Sequence, residues 1–178
     1  MERGEDACIA PCWLYDAGRR IIGMYYYQID ITLQWGNKMV KLTAEQQAFL
    51  LEGARTGKLA TVRKDGRPHV VPVWFALDGD TLVFTTGETS VKVANMRRDQ
   101  RVSICVDDET PPYAYMMIEG MATFSADSET LLYWATRIGG RYMGEDLAEV
   151  YGKRNGVPGE LLVRVTPTRV VFEKDIAS

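Results

Sequence analysis

Residues 58–86, KLATVRKDGRPHVVPVWFALDGDTLVFTT, decide the fold because their apolar residues recur with a period of two. That period is typical of β-strands with one buried face. Asp65-Gly66 and Asp78-Gly79 divide the stretch into three strand-like runs, and Asp-Gly favours the tight turn of a hairpin. The sequence therefore predicts a meander of three antiparallel strands.

The second of these runs contains two prolines, Pro68 and Pro72. Proline has no N–H to donate to a neighbouring strand, so within sheets it is confined to edges and bulges. We therefore expect this strand to lie at an edge, to be bulged, or to turn its amides toward something other than a strand. A ligand would satisfy the last alternative.

Three later segments add strands. Apolar and polar residues alternate in RVSICVDD at 101–108 and in YMMIEGMATF at 115–124, and ELLVRVTPTRVVFEK at 160–174 is interpreted as a long strand that Pro167 bends into two arms. About six strands with peripheral helices predict a mainly β (α+β) fold, a small closed or partly closed antiparallel barrel, because closure removes exposed edges.

Helical signals flank these strands. Thr43 and Gln46 have the spacing of a capping box at a helix start. A longer helix is predicted by apolar residues at helical spacing, namely Leu131, Ala135, Ile138 and Tyr142. Gly139-Gly140 is expected to weaken or kink that helix near its end. A second short helix is predicted around Val150.

Charge and cysteine content limit the function classes. The 178 residues carry a formal net charge of -3, so no global basic field exists to hold nucleic acid or an anionic membrane surface. No run approaches the roughly 18 apolar residues of a membrane helix. Three cysteines are a sparse, odd set that suits a reducing compartment. We expect a soluble, cytoplasmic protein.

The chain changes character at Met39, which looks like a natural domain start. Residues 1–38 lack clean periodicity and are interpreted as an upstream start-codon artefact, a cloning remnant or a poorly packed extension, with a genuine accessory segment as the alternative. Cys8 and Cys12 lack the second ligand pair that a tetrahedral zinc site needs, so no metal is predicted. Residues 39–178 are expected to form one domain.

Residues 85–99, TTGETSVKVANMRRD, concentrate groups that bind anions. We predict a strand that ends at Phe84 and a helix that begins near Ser90, so hydroxyls, free amides and Lys92 would meet at the helix N-terminus. This arrangement is typical of a phosphate site. The alternative is ordinary capping of a polar loop, with Arg97-Arg98 only complementing the helix dipole.

Three segments taken together resemble a known family: GKLATVRKDGRPHVVPVWF at 57–75, LVFTTGETSVKVANMRRDQRVSICVDD at 82–108, and YMMIEGMATF at 115–124. They are similar to the pyridoxamine 5'-phosphate oxidase-like split-barrel family, and more narrowly to its flavin and deazaflavin oxidoreductases that use coenzyme F420. The resemblance covers Met39 to the C-terminus. It implies a six-stranded antiparallel split barrel of the FMN-binding type, active as a homodimer with the cofactor in the groove between protomers.

The resemblance also implies which residues bind the cofactor. It assigns the phosphate to Thr85, Thr86, Ser90, Val91 and Lys92, and the tricyclic ring to the backbone of Val71, Pro72, Val73 and Trp74. FMN-dependent members typically carry paired Arg-Lys where this chain has Val91-Lys92, which favours F420 over FMN. Arg63, Lys64 and Arg67 either meet a polyglutamate tail or form a solvated hairpin.

The implied function is an oxidoreductase in which reduced F420 transfers hydride to a small, planar conjugated redox substrate. No catalytic side chain is obligatory for this chemistry. His69, the single histidine, is interpreted either as a proton donor or, more simply, as a surface or structural residue. The alternatives are an FMN-dependent oxidoreductase of the same family and a non-catalytic split barrel that binds flavin or haem.

Because the recognisable domain opens at Met39, deletion of residues 1–38 is expected to leave folding and cofactor binding intact. The melting temperature of the truncated chain, compared with that of the full chain, checks this expectation. A large fall would show that the segment is structural.

Overall fold

The structure, a computed structural model, describes residues 39–177. The interpretations of residues 1–38, including those of Cys8 and Cys12, concern a segment that lies outside the described residues. The domain boundary at Met39 accordingly stays a prediction.

Within residues 39–177, seven strands form one antiparallel sheet, in the order β2-β1-β5-β6-β7-β4-β3. They are β1 Gly57–Val62, β2 Pro68–Val73, β3 Ala76–Asp78, β4 Thr81–Gly87, β5 Arg101–Asp108, β6 Ala114–Ser125 and β7 Glu160–Glu173. The mainly β, antiparallel prediction is confirmed, but the count of six strands is wrong. The second predicted run stops at Val73, and the chain resumes at Ala76 as a separate short strand on the other edge of the sheet.

The sheet must curl because its two edges are neighbours in sequence. β2 and β3 are the outermost strands, yet only Trp74 and Phe75 separate them. Three Cα steps span at most about 11 Å, so Val73 and Ala76 cannot lie at opposite sides of a flat seven-stranded sheet. The sheet therefore wraps around its core, with the opening between β2 and β3 and the fully buried Phe75 at that corner.

The inner faces of the strands fill this core as the period of two predicts. Buried positions alternate along β5 and recur along β6. The core residues from these two strands are Val102, Ile104, Val106, Met116, Ile118 and Ala122. Burial of such apolar side chains, each worth about 1.5–3 kcal/mol when complete, drives the closure.

The prolines of β2 lie on an edge strand, as one of the sequence alternatives requires. The Arg63 N–H donates to the Arg67 carbonyl at 2.9 Å at the hairpin end, which sets the alternation of bonded pairs along the β1–β2 ladder. Pro68, Val70 and Pro72 then fall at positions that face away from β1. The two missing N–H groups therefore cost this ladder no hydrogen bond.

β7 is one long strand that continues through Pro167, beside which the structure has a register shift. Glu119 of β6 pairs with Arg169, whereas its neighbour Gly120 pairs with Pro167. Thr168 is thus an extra residue in β7, and the register shift absorbs the proline while the strand continues.

In the part of the chain that the structure describes, four α-helices lie around the sheet: α1 Ala44–Leu51, α2 Val91–Arg98, α3 Ser128–Met143 and α4 Ala148–Asn155. The predicted capping box of α1 is confirmed, since the Gln46 N–H donates to Thr43 Oγ1 at 3.2 Å and the Thr43 N–H donates to Gln46 Oε1 at 2.9 Å. Across residues 39–177, no helix combines the length and the apolar character that crossing a bilayer requires.

Gly139 and Gly140 do not interrupt α3, which continues to Met143. Both are buried where α3 packs against α4. A Cβ on Gly139 would lie 2.6 Å from the Cβ of Tyr151, and one on Gly140 would lie 3.2 Å from the Cβ of Ala148. The glycines therefore permit close helix packing rather than weaken the helix.

The substitution Gly139→Ala distinguishes these two roles, because each predicts an opposite change in the free energy of unfolding. If the glycine only weakened the helix, alanine would stabilise the protein by about 1 kcal/mol. Because the new methyl group would overlap Tyr151, we expect a loss of about 1–3 kcal/mol instead. Urea denaturation of the two proteins measures the difference, and a stabilised variant would contradict the packing account.

Candidate functional site

The predicted phosphate residues lie at the β4–α2 turn, which we define as residues 85–92. β4 extends to Gly87, three residues beyond the exit predicted at Phe84, so Thr85 and Thr86 belong to the strand itself. Ser90 is the N-cap of α2, and its Oγ lies 3.3 Å from Thr86 Oγ1. The structure thus brings two of the predicted hydroxyls together.

The N-terminus of α2 has no side-chain cap. Thr43 and Asp127 cap α1 and α3 through their side-chain oxygens, whereas the Ser90 side chain makes no such bond. The first-turn amides of α2, at Val91 and Lys92, have no carbonyl partner within a helix. Such amides, together with the positive end of the helix dipole, form a ready site for an anion.

Two side chains of opposite charge influence each other at this turn. Burial lowers the pKa of the Lys92 ammonium below its ordinary value, and the Glu160 carboxylate opposes that shift. Burial raises the pKa of Glu160, and Lys92 opposes that shift in turn. Among the described residues the two groups do not form a direct ion pair within 4.0 Å. Glu160 therefore does not occupy the Lys92 ammonium in a direct ion pair.

Sequence reasoning missed Glu160. It begins β7 and lies opposite Gly87 in the ladder between β7 and β4. A Cβ on Gly87 would be 3.4 Å from Glu160 Oε1, so the carboxylate lies over the turn. No local pattern signals this contact, since only the pairing of two distant strands brings Glu160 there.

The first and last residues of the Asn-x-Arg-Arg segment of α2, Asn95 and Arg98, have structural roles. Asn95 is buried and its Nδ2 donates to Thr61 Oγ1 at 3.0 Å. Thr61 Oγ1 in turn lies 3.3 Å from His69 Nδ1, and an Arg98 N–H donates to the Val62 carbonyl. These contacts tie α2 to both strands of the first hairpin.

This network fixes the position of α2 relative to the first hairpin. α2 has eight residues and is therefore about 12 Å long. The β4–α2 turn lies at its N-terminus, and the β1–β2 hairpin is fastened near its C-terminus. The predicted ring residues, Val71 to Trp74, lie toward the opposite end of β2 from that hairpin turn.

The predicted ring residues lie on β2 and on the link that follows it. Val73 is buried in the core, Val71 is half-buried and Pro72 is exposed. The ladder alternation directs the Val71 and Val73 amides toward β1 and leaves the Val70 amide facing the open edge. The polar contacts that this edge can offer a ligand therefore come from Val70 and from exposed carbonyls.

The link beside β2 is held by the end of α3. Trp74 stacks on Tyr142 with ring centroids 4.9 Å apart and planes at 4°. The Phe75 N–H donates to the Tyr142 hydroxyl at 3.2 Å, and that hydroxyl donates to the Arg55 carbonyl at 2.7 Å. Arg141 Nη1 donates to the Phe75 carbonyl at 2.8 Å. Trp74 is therefore a fixed aromatic surface.

A separate groove of about 420 Å³ lies over β1, β5 and β6. Thr61, Val62, Val102 and Met121 belong to its wall, and Asp99, Arg101 and Glu119 contribute charged groups. None of the nine predicted cofactor residues lines it. The groove and the β4–α2 turn are thus distinct parts of the surface.

A comparison with known protein families matches the region that contains these strands and loops. The family model for pyridoxamine 5'-phosphate oxidase matches residues 42–174, three quarters of the chain. The chain belongs to the pyridoxamine 5'-phosphate oxidase family. The sequence-based resemblance to this family is confirmed, and with it the split-barrel fold. The β4–α2 turn, β2 and the Trp74 link all lie inside the matched range.

Solved structures support this assignment to the pyridoxamine 5'-phosphate oxidase family. A conserved hypothetical protein from Mycobacterium tuberculosis is 27% identical, with a TM-score of 0.66, over 77% of this chain and 87% of its own. An F420 reductase is 29% identical, with a TM-score of 0.57, over 70% of this chain and 94% of its own. A heme storage protein from Vibrio cholerae shares the fold at 21% identity, with a TM-score of 0.57 over 74% of this chain and 94% of its own.

Proposed function

We propose that this protein is an oxidoreductase that binds coenzyme F420 and, with the reduced cofactor, transfers hydride to a small, planar conjugated substrate. The observation that carries the proposal is the N-terminus of α2, which has no side-chain cap and whose first turn follows Ser90 and includes Lys92. Family membership supports a flavin-type cofactor, and the likeness to an F420 reductase supports the deazaflavin.

The β4–α2 turn fits a phosphate group. Its amides and the Ser90 and Thr85 hydroxyls would donate to phosphate oxygens, and Lys92 would add a charge-assisted contact. Thr86, which is buried beside Ser90, would hold that hydroxyl in place rather than contact the ligand itself. The turn fits a phosphate because no side chain caps α2, so the N–H groups of its first turn remain available as donors.

The edge formed by Val71, Pro72, Val73 and Trp74 would hold the ring. When bound, reduced F420 supplies the hydride, so the chain itself has to orient the ring and the substrate and exclude water. Trp74 suits this task because Tyr142 stacks against it and keeps its plane fixed. His69 is engaged with Thr61, which supports a structural role and leaves no side chain assigned to proton transfer.

The distribution of cations favours F420 over FMN. Lys92 is the single cation placed at the β4–α2 turn by the described residues, whereas FMN-dependent relatives typically pair Arg with Lys there. Arg67 is paired with Asp65 at 2.7 Å in the first hairpin, which leaves Arg63 and Lys64 as the candidates for contact with a polyglutamate tail. FMN is the competing cofactor for this site.

Titration of the purified full chain with F420 and with FMN tests the function, followed by a redox screen of quinones, enones and tetrapyrroles. Tighter binding of F420, with hydride transfer to a member of the screen, is the expected result. A protein that purifies yellow with bound FMN, or with the Soret band of haem, would contradict it.

We also propose a homodimer, and light scattering that finds a stable, cofactor-binding monomer would exclude the dimer.

Removal of the Lys92 ammonium is expected to impair binding more than stability. Because a charge-assisted contact to phosphate is worth on the order of 1.5 to 3 kcal/mol, Lys92→Ala should weaken cofactor affinity roughly 10- to 100-fold. Stability should change by no more than about 0.5 kcal/mol. Isothermal titration calorimetry measures the first quantity and urea denaturation the second.

Arg97→Ala is the matched control, since Arg97 is an exposed cation on the same helix. Its cofactor affinity should stay close to that of the unmodified protein. An unchanged dissociation constant for Lys92→Ala with both cofactors would remove the phosphate site from the proposal.

A further inference from the structure

We infer that Glu160 makes the phosphate site select a singly charged phosphodiester over a doubly charged phosphomonoester. The inference rests on the proposed function and deepens it, because it names the class of phosphate that the site accepts. It assigns a specificity-determining role to a residue outside the β4–α2 turn.

The fold holds the Glu160 carboxylate at the turn. The Glu160 N–H donates to the Val157 carbonyl at 3.1 Å, and the preceding Gly159 carbonyl accepts from the Glu88 N–H at 2.9 Å. On the other strand, Gly87 lies opposite Glu160 and presents no side chain. The missing Cβ leaves room for the carboxylate, whose Oε1 would be 3.4 Å from it.

The charges of Lys92 and Glu160 offset each other before a ligand arrives. β4 contributes uncharged Thr85 and Thr86, α2 contributes Lys92, and β7 contributes Glu160. Glu88 within the turn is exposed to solvent. Within residues 39–177, Lys92 is the charged group that lowers the pKa of Glu160, and Glu160 in turn raises that of Lys92, each against the larger effect of burial. One fixed cation therefore faces one fixed anion, beside the partial positive charge of the helix terminus.

The two phosphate classes meet this balance differently. A phosphodiester carries one negative charge, which Lys92 and the helix dipole satisfy. A phosphomonoester carries about 1.5 to 2 negative charges at pH 7, since its second pKa is about 6. The additional charge would face the Glu160 carboxylate, and like charges at close range oppose binding. F420 contains a phosphodiester and FMN a terminal monoester, so the same carboxylate would separate the two cofactors.

The decisive measurement is the ratio of the FMN and F420 dissociation constants for the full chain and for Glu160→Gln. Glutamine keeps the shape of the side chain and removes its charge. We expect the ratio to fall about tenfold in the variant because FMN binds more tightly, while F420 affinity changes less than about threefold. Glu88→Gln, which removes an exposed carboxylate from the same turn, should leave the ratio unchanged.

A second arm needs no variant and so does not depend on the folding of Glu160→Gln. FMN should bind the unmodified protein more tightly as the pH falls from about 7.5 to about 5.5, because its monoester takes up a proton near pH 6. F420 affinity should change less over this range, because its phosphodiester takes up no proton there.

The outcomes separate this inference from the proposed function. An unchanged ratio in a folded Glu160→Gln variant, or FMN affinity that ignores pH, overturns the role of Glu160 and leaves the F420 proposal standing. An unmodified protein that binds neither cofactor overturns the proposed function, and this inference with it.

Discussion

The backbone of Phe75 is held at both of its polar groups by the last turn of α3, and the rest of the barrel depends on that contact. Its N–H donates to the Tyr142 hydroxyl and its carbonyl accepts from Arg141, which also donates to the Leu50 carbonyl at 2.6 Å. Because Trp74 and Phe75 join the two outermost strands, this contact determines where the curled sheet stays open. β2 is thereby kept at the edge of the sheet that the described residues form.

The candidate site uses this opening together with one helix. α2 begins at the β4–α2 turn and is fastened to the first hairpin through Asn95 and Thr61. In the proposed function, an acidic chain binds an anion there through local attraction, which arises from free amides, hydroxyls and one lysine rather than from net charge. Glu160 limits that attraction, so the site is expected to discriminate between phosphate classes as well as to bind them.

Local patterns predicted the parts of the molecule that depend on neighbouring residues. The alternation of β5 and β6, the capping box at Thr43 and the edge position of β2 follow from side-chain period, cap chemistry and the missing proline N–H. Contacts between distant segments were not predictable in this way. The break at Trp74, the bulge at Thr168 and the close packing at Gly139 all depend on which elements meet, and so does the position of Glu160 over Gly87.

The central claim is that the β4–α2 turn holds the phosphate of the cofactor, and a crystal structure of the full chain with bound F420 tests it most directly. We predict phosphate oxygens about 3 Å from the Ser90 hydroxyl and from the first-turn amides of α2, with Lys92 alongside. Density for that phosphate in the groove beside Val102 and Met121, with the β4–α2 turn left empty, would contradict the account.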